Sequence, residues 1–289
     1  INGDLVDVGM QEKQWDNLFG SASDSLLALP IAPVAGNHDE DKSSFIEHFM
    51  LRTPSGSPTV SGAYYSFDWS DAHFIVLNTN EDSPEWADLS PGQVEWFVED
   101  AKAAKAAGAS WIILLLHKGP YTTSNHATDA DIMGQNGLRT KLASLLDDLK
   151  VDLVLQGHDH IYARSKPIKD GVAVAPKTSR ATLNGRPIEY YRELSGPVYV
   201  IPSTAGPKTY FRNRKIDPSY YELFSVADEH HAAKYGPDPA DGSRPLRGAV
   251  QNFMSLSVDE RKIVVVAYEI DAKIEGGKPF VIDQFGLEK

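Results

Sequence analysis

The chain has 289 residues, 42% of them hydrophobic, enough to bury a full core. A formal net charge of −12 without any Lys/Arg-rich run excludes the electrostatic footprint of a protein that binds nucleic-acid polymers, so positive charge for a phosphate ligand would have to come from metal ions. The absence of cysteine excludes disulfides, thiolate ligands and Cys nucleophiles, and no apolar stretch approaches the ~20 residues of a membrane span.

Ile1-Asn2-Gly3-Asp4 reads as the middle of a strand-to-loop transition, so the gene product is expected to start earlier. Residues 11–29 carry Trp15, Leu18, Phe19, Leu26 and Leu27 at helical spacing, with Gly20-Ser21 as a point of kinking or breakage. Ile31 to Ala35 predicts a short strand feeding Gly36-Asn37-His38-Asp39, and Phe45 to Leu51 a short helix. Ala63 to Trp69 and Ala72 to Asn78 predict a hairpin turning at Ser70-Asp71. Ser90-Pro91-Gly92-Gln93 reads as a helix start, with Ser90 as N-cap and Gln93 closing a capping box; the helix should stop at Gly108. Trp111 to Leu116 is a continuous apolar strand that delivers His117. Leu138, Leu142, Leu145, Leu146 and Leu149 are helical by period and lead into a buried strand from Val151 that stops at Gly157, releasing His158, Asp159 and His160. Strand ends of this kind bind ligands in open α/β sheets. Residues 165–248 read as a loop-rich insertion near the site, with one clear strand at Val198 to Pro202. Asn252 to Val258 and Ile263 to Ile270 predict a terminal hairpin. The alternation of strands and helices predicts α/β layers in a single domain spanning 1–289.

Strand ends thus present Asp4, Asn37 with His38, His117, and His158 with His160. Hard oxygen donors mixed with imidazoles suit Zn, Fe, Mn, Co or Ni and disfavour an all-oxygen Ca site. A shared carboxylate can bridge two ions ~3.5–4 Å apart, clamping the attacking and leaving oxygens of a phosphoryl displacement. Taken singly, each piece has an ordinary alternative as a loop cap or loop histidine. Asp159 reads as facing solvent or orienting a histidine, and Tyr162 and Arg164, which share parity with His160, as either facing the phosphate or anchoring structure. His126, His230, His231 and Tyr210 lie in loops able to line a cleft. His48 and His73 read as structural, and Trp15, Trp96 and Trp111 as core.

Taken together and in this order, Gly3-Asp4, Gly36-Asn37-His38-Asp39, His117 and Gly157-His158-Asp159-His160 resemble the calcineurin-like metallophosphoesterase superfamily. The Tyr64 to Trp69 hairpin ahead of His73 to Leu77, with Tyr162 and Arg164 after the last motif, is similar to the purple-acid-phosphatase-like branch. The resemblance implies an α/β fold, a four-layer αββα sandwich of two mixed β-sheets flanked by helices. It implies two divalent or trivalent ions (Fe, Zn or Mn), hydrolysis of mono- or diesters of a small phosphorylated substrate by an activated water, and a secreted or cell-surface location. Asp4 would bridge the ions, Asn37, His117 and His158 would hold the second and His160 the first, while His38 would act at the leaving group with Asp39 holding its imidazole. His126, Tyr162 and Arg164 are the candidates for substrate contacts. Two departures stand out. The opening Asp-Xaa-His motif of the family has no counterpart, since Asp71-Ala72-His73 precedes a strand; a phosphate-binding or cell-surface module with an incomplete centre is the alternative function. Three residues after the bridging Asp, where purple acid phosphatases carry a ferric-iron tyrosine, this chain has Asp7.

Overall fold

The computed structural model describes residues 1–39, 44–51, 63–81, 86–206, 210, 212–227, 250–271 and 275–289. Helices α1 (Glu12–Leu26) and α2 (Ser44–Phe49) precede the hairpin β1 (Tyr65–Trp69) and β2 (Ala72–Val76). Next come α3 (Pro91–Ala106), β3 (Trp111–Leu115), the single turn α4 (Ala130–Met133), α5 (Leu138–Asp148) and β4 (Leu153–Leu155). They are followed by β5 (Tyr162–Ser165), β6 (Ile168–Lys169), β7 (Val172–Ala173), β8 (Lys177–Leu183), β9 (Arg186–Arg192) and β10 (Val198–Pro202). The chain closes with β11 (Phe224–Ala227), β12 (Val250–Val258), β13 (Lys262–Asp271) and β14 (Phe280–Glu288).

A seven-stranded sheet of order β1-β2-β3-β4-β10-β5-β11 faces a five-stranded sheet of order β12-β13-β14-β9-β8. The strands β2, β3, β4 and β10 run parallel, as expected of apolar segments buried on both faces. Alternation along β3 assigns the layers. Ile112 and Leu114 pack against Phe97 of α3 and Leu142 and Leu146 of α5. Trp111, Ile113 and Leu115 pack against Val265, Phe285 and Leu287 of the second sheet. Each such aliphatic or aromatic side chain contributes ~1.5–3 kcal/mol by leaving water. Two mixed sheets flanked by helices is the architecture expected from the sequence. Among the described residues no helix is long and apolar enough to cross a membrane.

Ser90 caps α3, its Oγ accepting from Gln93 N at 3.1 Å, and Pro91 fills the first helical position. Gln93 does not close the box. Its side chain bridges the N–H and carbonyl of Asn78, and Ser90 N donates to Glu81 instead. Helix α1 runs unbroken across Gly20-Ser21. Trp15, Phe45, Val6 and Ala35 form a satellite cluster beneath the loops that carry Asp4 and Asn37.

Two expectations are corrected. Among the described residues Ile31 to Ala35 joins no sheet, its Val34 N donating to Ile1 O at 2.9 Å. The stretch 165–248 contains far more sheet than Val198 to Pro202. It supplies the β8–β9 hairpin to the second sheet and β10 and β11 to the first, while 228–249 lies outside the described residues. Strand β8 is mostly exposed, so it lacks the apolar alternation that would have marked it.

Tyr162 and Arg164 lie on β5, buried between the sheets. Tyr162 Oη donates to Asp283 Oδ2 at 2.8 Å, and Arg164 Nε and Nη2 donate to the same carboxylate at 2.7 and 3.2 Å. Arg164 also donates to the Tyr191 hydroxyl. These residues fasten the first sheet to β14. They do not line the cavity described below, because their polar atoms are committed to a buried counter-charge.

Candidate metal centre

Pairing of β3 with β4 continues past both strands, with Leu116 N donating to Leu155 O at 3.1 Å and Gly157 N to His117 O at 2.9 Å. His117 and His158 therefore leave the sheet side by side. Gln156, just before the turn, is braced by β10 through its N–H to Val200 O at 2.9 Å. The opposite wall is built from two loops pinned together by one side chain. The fully buried Asp39 carboxylate accepts Val6 N on Oδ1 and Gly36 N on Oδ2, each at 3.0 Å. The walls meet at glycines. A Cβ on Gly3, whose φ is +87°, would lie 2.3 Å from His117 Nδ1, and one on Gly157 would lie 2.2 Å from Asn2 O.

Asp4, Asn37, His117 and His158, from four separate segments, converge. His117 Nδ1 donates to Asn2 O at 2.7 Å, which fixes the tautomer and leaves Nε2 facing Asp4 Oδ1 at 3.2 Å and Asn37 Oδ1 at 3.1 Å. A second proton on His117, or a cation in its place, satisfies all three atoms. Burial alone would raise the Asp4 carboxyl, but the His117 imidazole and the His38 N–H hold it down at about 2. Burial alone would lower His117, but Asp4 raises it. Asp4, His117 and His158 each offer a ligand atom within 4.8 Å of the others. His158 Nδ1 is buried with no hydrogen-bond partner, an orphan that a metal ion would satisfy. Burial and the neighbouring imidazoles lower the His158 pKa, keeping it the neutral form a ligand must be. Asp4 (φ +53°) and His158 (φ +65°) both adopt the left-handed backbone region, a strain of the kind that clusters at functional sites. The donor set therefore fits a transition-metal or zinc ion.

His126 forms a second group with Asp129 and His158. Its Nδ1 lies 2.6 Å from Asp129 Oδ2, and its ring lies 3.8 Å from that of His158. Asn37, His38, Trp86, Lys118, His126, Asp129, Ala130, Asp131 and His158 line one open cavity of about 560 Å³.

Several site expectations need correction. Asp39 does not hold the His38 imidazole; its oxygens are taken by Val6 and Gly36, and His38 Nδ1 instead lies 2.8 Å from the Asp7 carbonyl. His160, expected as a ligand of the first ion, is not part of either group and stacks on Tyr210 at 4.7 Å, so its place in the centre belongs to the proposal below. Asp159 faces neither solvent nor a histidine ring; buried, it accepts from Thr122 Oγ1, Ser124 N and His126 N and so shapes the loop bearing His126. His73 is clasped by Asp68 and Asp100 and His48 stacks on Trp15, both structural as expected, while His230 and His231 lie outside the described residues. Asp129, Lys118, Asp131 and Trp86 were not singled out from sequence. The adjacency of Lys118 to His117 is the signal that could have drawn attention to that wall.

With this geometry in hand, the comparisons become decisive. The family model for calcineurin-like phosphoesterases matches residues 1–162, more than half of the chain and every segment that builds the centre. The chain belongs to that family. Purple acid phosphatase 22 of Arabidopsis thaliana is 28% identical over 182 residues, covering 60% of this chain and 40% of its own. An uncharacterized protein of Mycobacterium tuberculosis is 26% identical over 196 residues, covering 62% of this chain and 36% of its own. The chain thus spans well under half the length of the curated relatives it matches. The structure of purple acid phosphatase PPD1 from yellow lupin seeds superposes with a TM-score of 0.70 at 19% identity, covering 99% of this chain and 45% of that one. The chain is thus similar to purple acid phosphatases in sequence, and to one of them in fold. The family implies divalent metal ions, and the Asp4 and His126 groups are the candidates to hold them.

Proposed function

We propose that residues 1–289 form one catalytic domain that hydrolyses phosphate esters with the help of metal ions. The observation that carries this reading is the meeting of Asp4, Asn37, His117 and His158 around one small volume, with the His158 Nδ1 lone pair unclaimed. These four would hold one ion. The binuclear form of the reading adds a second ion, which Asp4 and His160 would help to hold. Such ions, when bound, supply Lewis acidity to the phosphoryl oxygens and lower the pKa of water toward ~7. The protein's own contribution is orientation and proton transfer. The Asp7 carbonyl takes the His38 Nδ1 position, which leaves Nε2 to exchange a proton with the departing oxygen, and His38 lies on the cavity wall. His126, held by Asp129 on the same wall, supplies a further donor toward a bound phosphate.

Assaying p-nitrophenyl phosphate and its bis ester after loading with Mn, Fe or Zn tests the activity and separates mono- from diesterase. Hydrolysis of neither ester with any of the three metals overturns it. Two equivalents of tightly held metal per chain support the binuclear form, and one equivalent refutes it.

A further inference from the structure

The cavity has an aromatic wall that the metal-centred chemistry does not use. Trp86 is 49% exposed, although Trp15 and Trp111 are fully buried, and it shares the cavity with Asn37, His38 and His158. Its backbone is held. The next residue, Ala87, is buried, and its N–H donates to Asp131 Oδ2 at 2.9 Å; the same oxygen lies 3.4 Å from Lys118 Nζ, and both Asp131 and Lys118 are buried. A buried ion pair next to His117 thus fixes the segment that presents the indole. The remaining carboxylate of the wall, Asp129, is engaged by His126. One cavity therefore combines cation-holding ligands with an open indole face, and the described charged groups between them are committed to each other.

We propose that Trp86 is a specificity-determining residue that stacks on the leaving group and selects phosphomonoesters of flat aromatic alcohols or nucleosides over alkyl phosphates. This rests on the phosphoester-hydrolase reading and names the substrate class of that site. An indole stacks on any flat ring without hydrogen-bond readout, so aryl and nucleoside groups share this chemistry. A second phosphate would have to compete with the buried Asp131 for Lys118, so monophosphates are selected over polyphosphates.

The test separates binding from turnover. Calorimetry on the full chain, with and without Mn²⁺, compares phenylphosphonate with ethylphosphonate, and AMP with phenylphosphonate to distinguish nucleoside from aryl preference. Wild type is expected to bind the phenyl compound on the order of tenfold more tightly than the ethyl one, from the worth of one stacked ring. Trp86→Ala should erase that ratio and Trp86→Phe should recover most of it, with unaltered thermal unfolding showing that both variants fold. The ratio of kcat/KM for phenyl phosphate to that for ethyl phosphate should move in parallel, and ATP should be a poorer substrate than AMP. Equal affinities for the two phosphonates, binding of neither, or a ratio unmoved in Trp86→Ala overturns the proposal. Selective binding without hydrolysis of any ester refutes the hydrolase reading and leaves the aromatic selectivity standing.

Discussion

The two ring nitrogens of His117 are divided between the scaffold and the shared volume. His117 gives Nδ1 to Asn2 and keeps Nε2 for the centre, while His38 is fixed through the Asp7 carbonyl. The roles separate accordingly. His117→Ala and His158→Ala are expected to lose bound metal and turnover together, whereas His38→Ala should keep its metal and lose turnover by roughly 100-fold or more. Elemental analysis alongside kcat for the three variants checks this, and equal metal loss in all three contradicts it. His117 and His158 were legible because apolar strands deliver them, and Asp4 and Asn37, which follow no strand among the described residues, through the order of the motifs. The partners of Asp39 were not, since sequence adjacency to His38 says nothing about which N–H groups a turn turns inward. Asp129 was equally hidden, because a carboxylate three residues after a loop histidine is common and only the 2.6 Å contact marks it.

Elements with uninterrupted apolar runs or clear caps, such as β3, β4, α3 and α5, sit where their sequences place them. Strand β8 did not announce itself because it is mostly exposed, although the Asn184-Gly185 turn to β9 marks a hairpin, and β14 did not because its parallel partner β9 lies elsewhere in the chain. Two charge clusters tie such elements together. Asp283 on β14 is the counter-charge of the buried Arg164 on β5, and Asp283→Ala leaves that guanidinium alone between the sheets. The expected loss is about 3–5 kcal/mol of unfolding free energy, read from denaturant midpoints, against roughly 1–3 kcal/mol for Tyr162→Phe, which removes one hydrogen bond to a charged acceptor. His73 on β2 lies between Asp68 at 2.7 Å and Asp100 of α3 at 2.8 Å. Burial disfavours its charge, but the two carboxylates outweigh burial and raise its pKa. Its stabilisation is therefore full below the unfolded-state value of ~6.5 and fades as pH rises through the higher folded-state value. The stability gap between wild type and His73→Gln should narrow as pH rises above about 6.5. A gap that widens over that range refutes the assignment.

At the scale of the whole molecule, the family match ends at residue 162 but the core does not. Strand β10 lies between β4 and β5, and Val265, Phe285 and Leu287 of the second sheet cover Ile113 and Leu115. A fragment of residues 1–162 is expected to show no cooperative thermal transition and no tight Zn²⁺ binding, whereas the full chain shows both; calorimetry of the two checks this. A cooperative fragment would contradict the single core. The brace that Val200 gives to Gln156 has a consequence for how the protein is made. All four converging side chains precede in the chain the strand that steadies His158. The nascent polypeptide therefore carries these groups ahead of part of their scaffold, and an ordered His158 is expected only once β10 has been made.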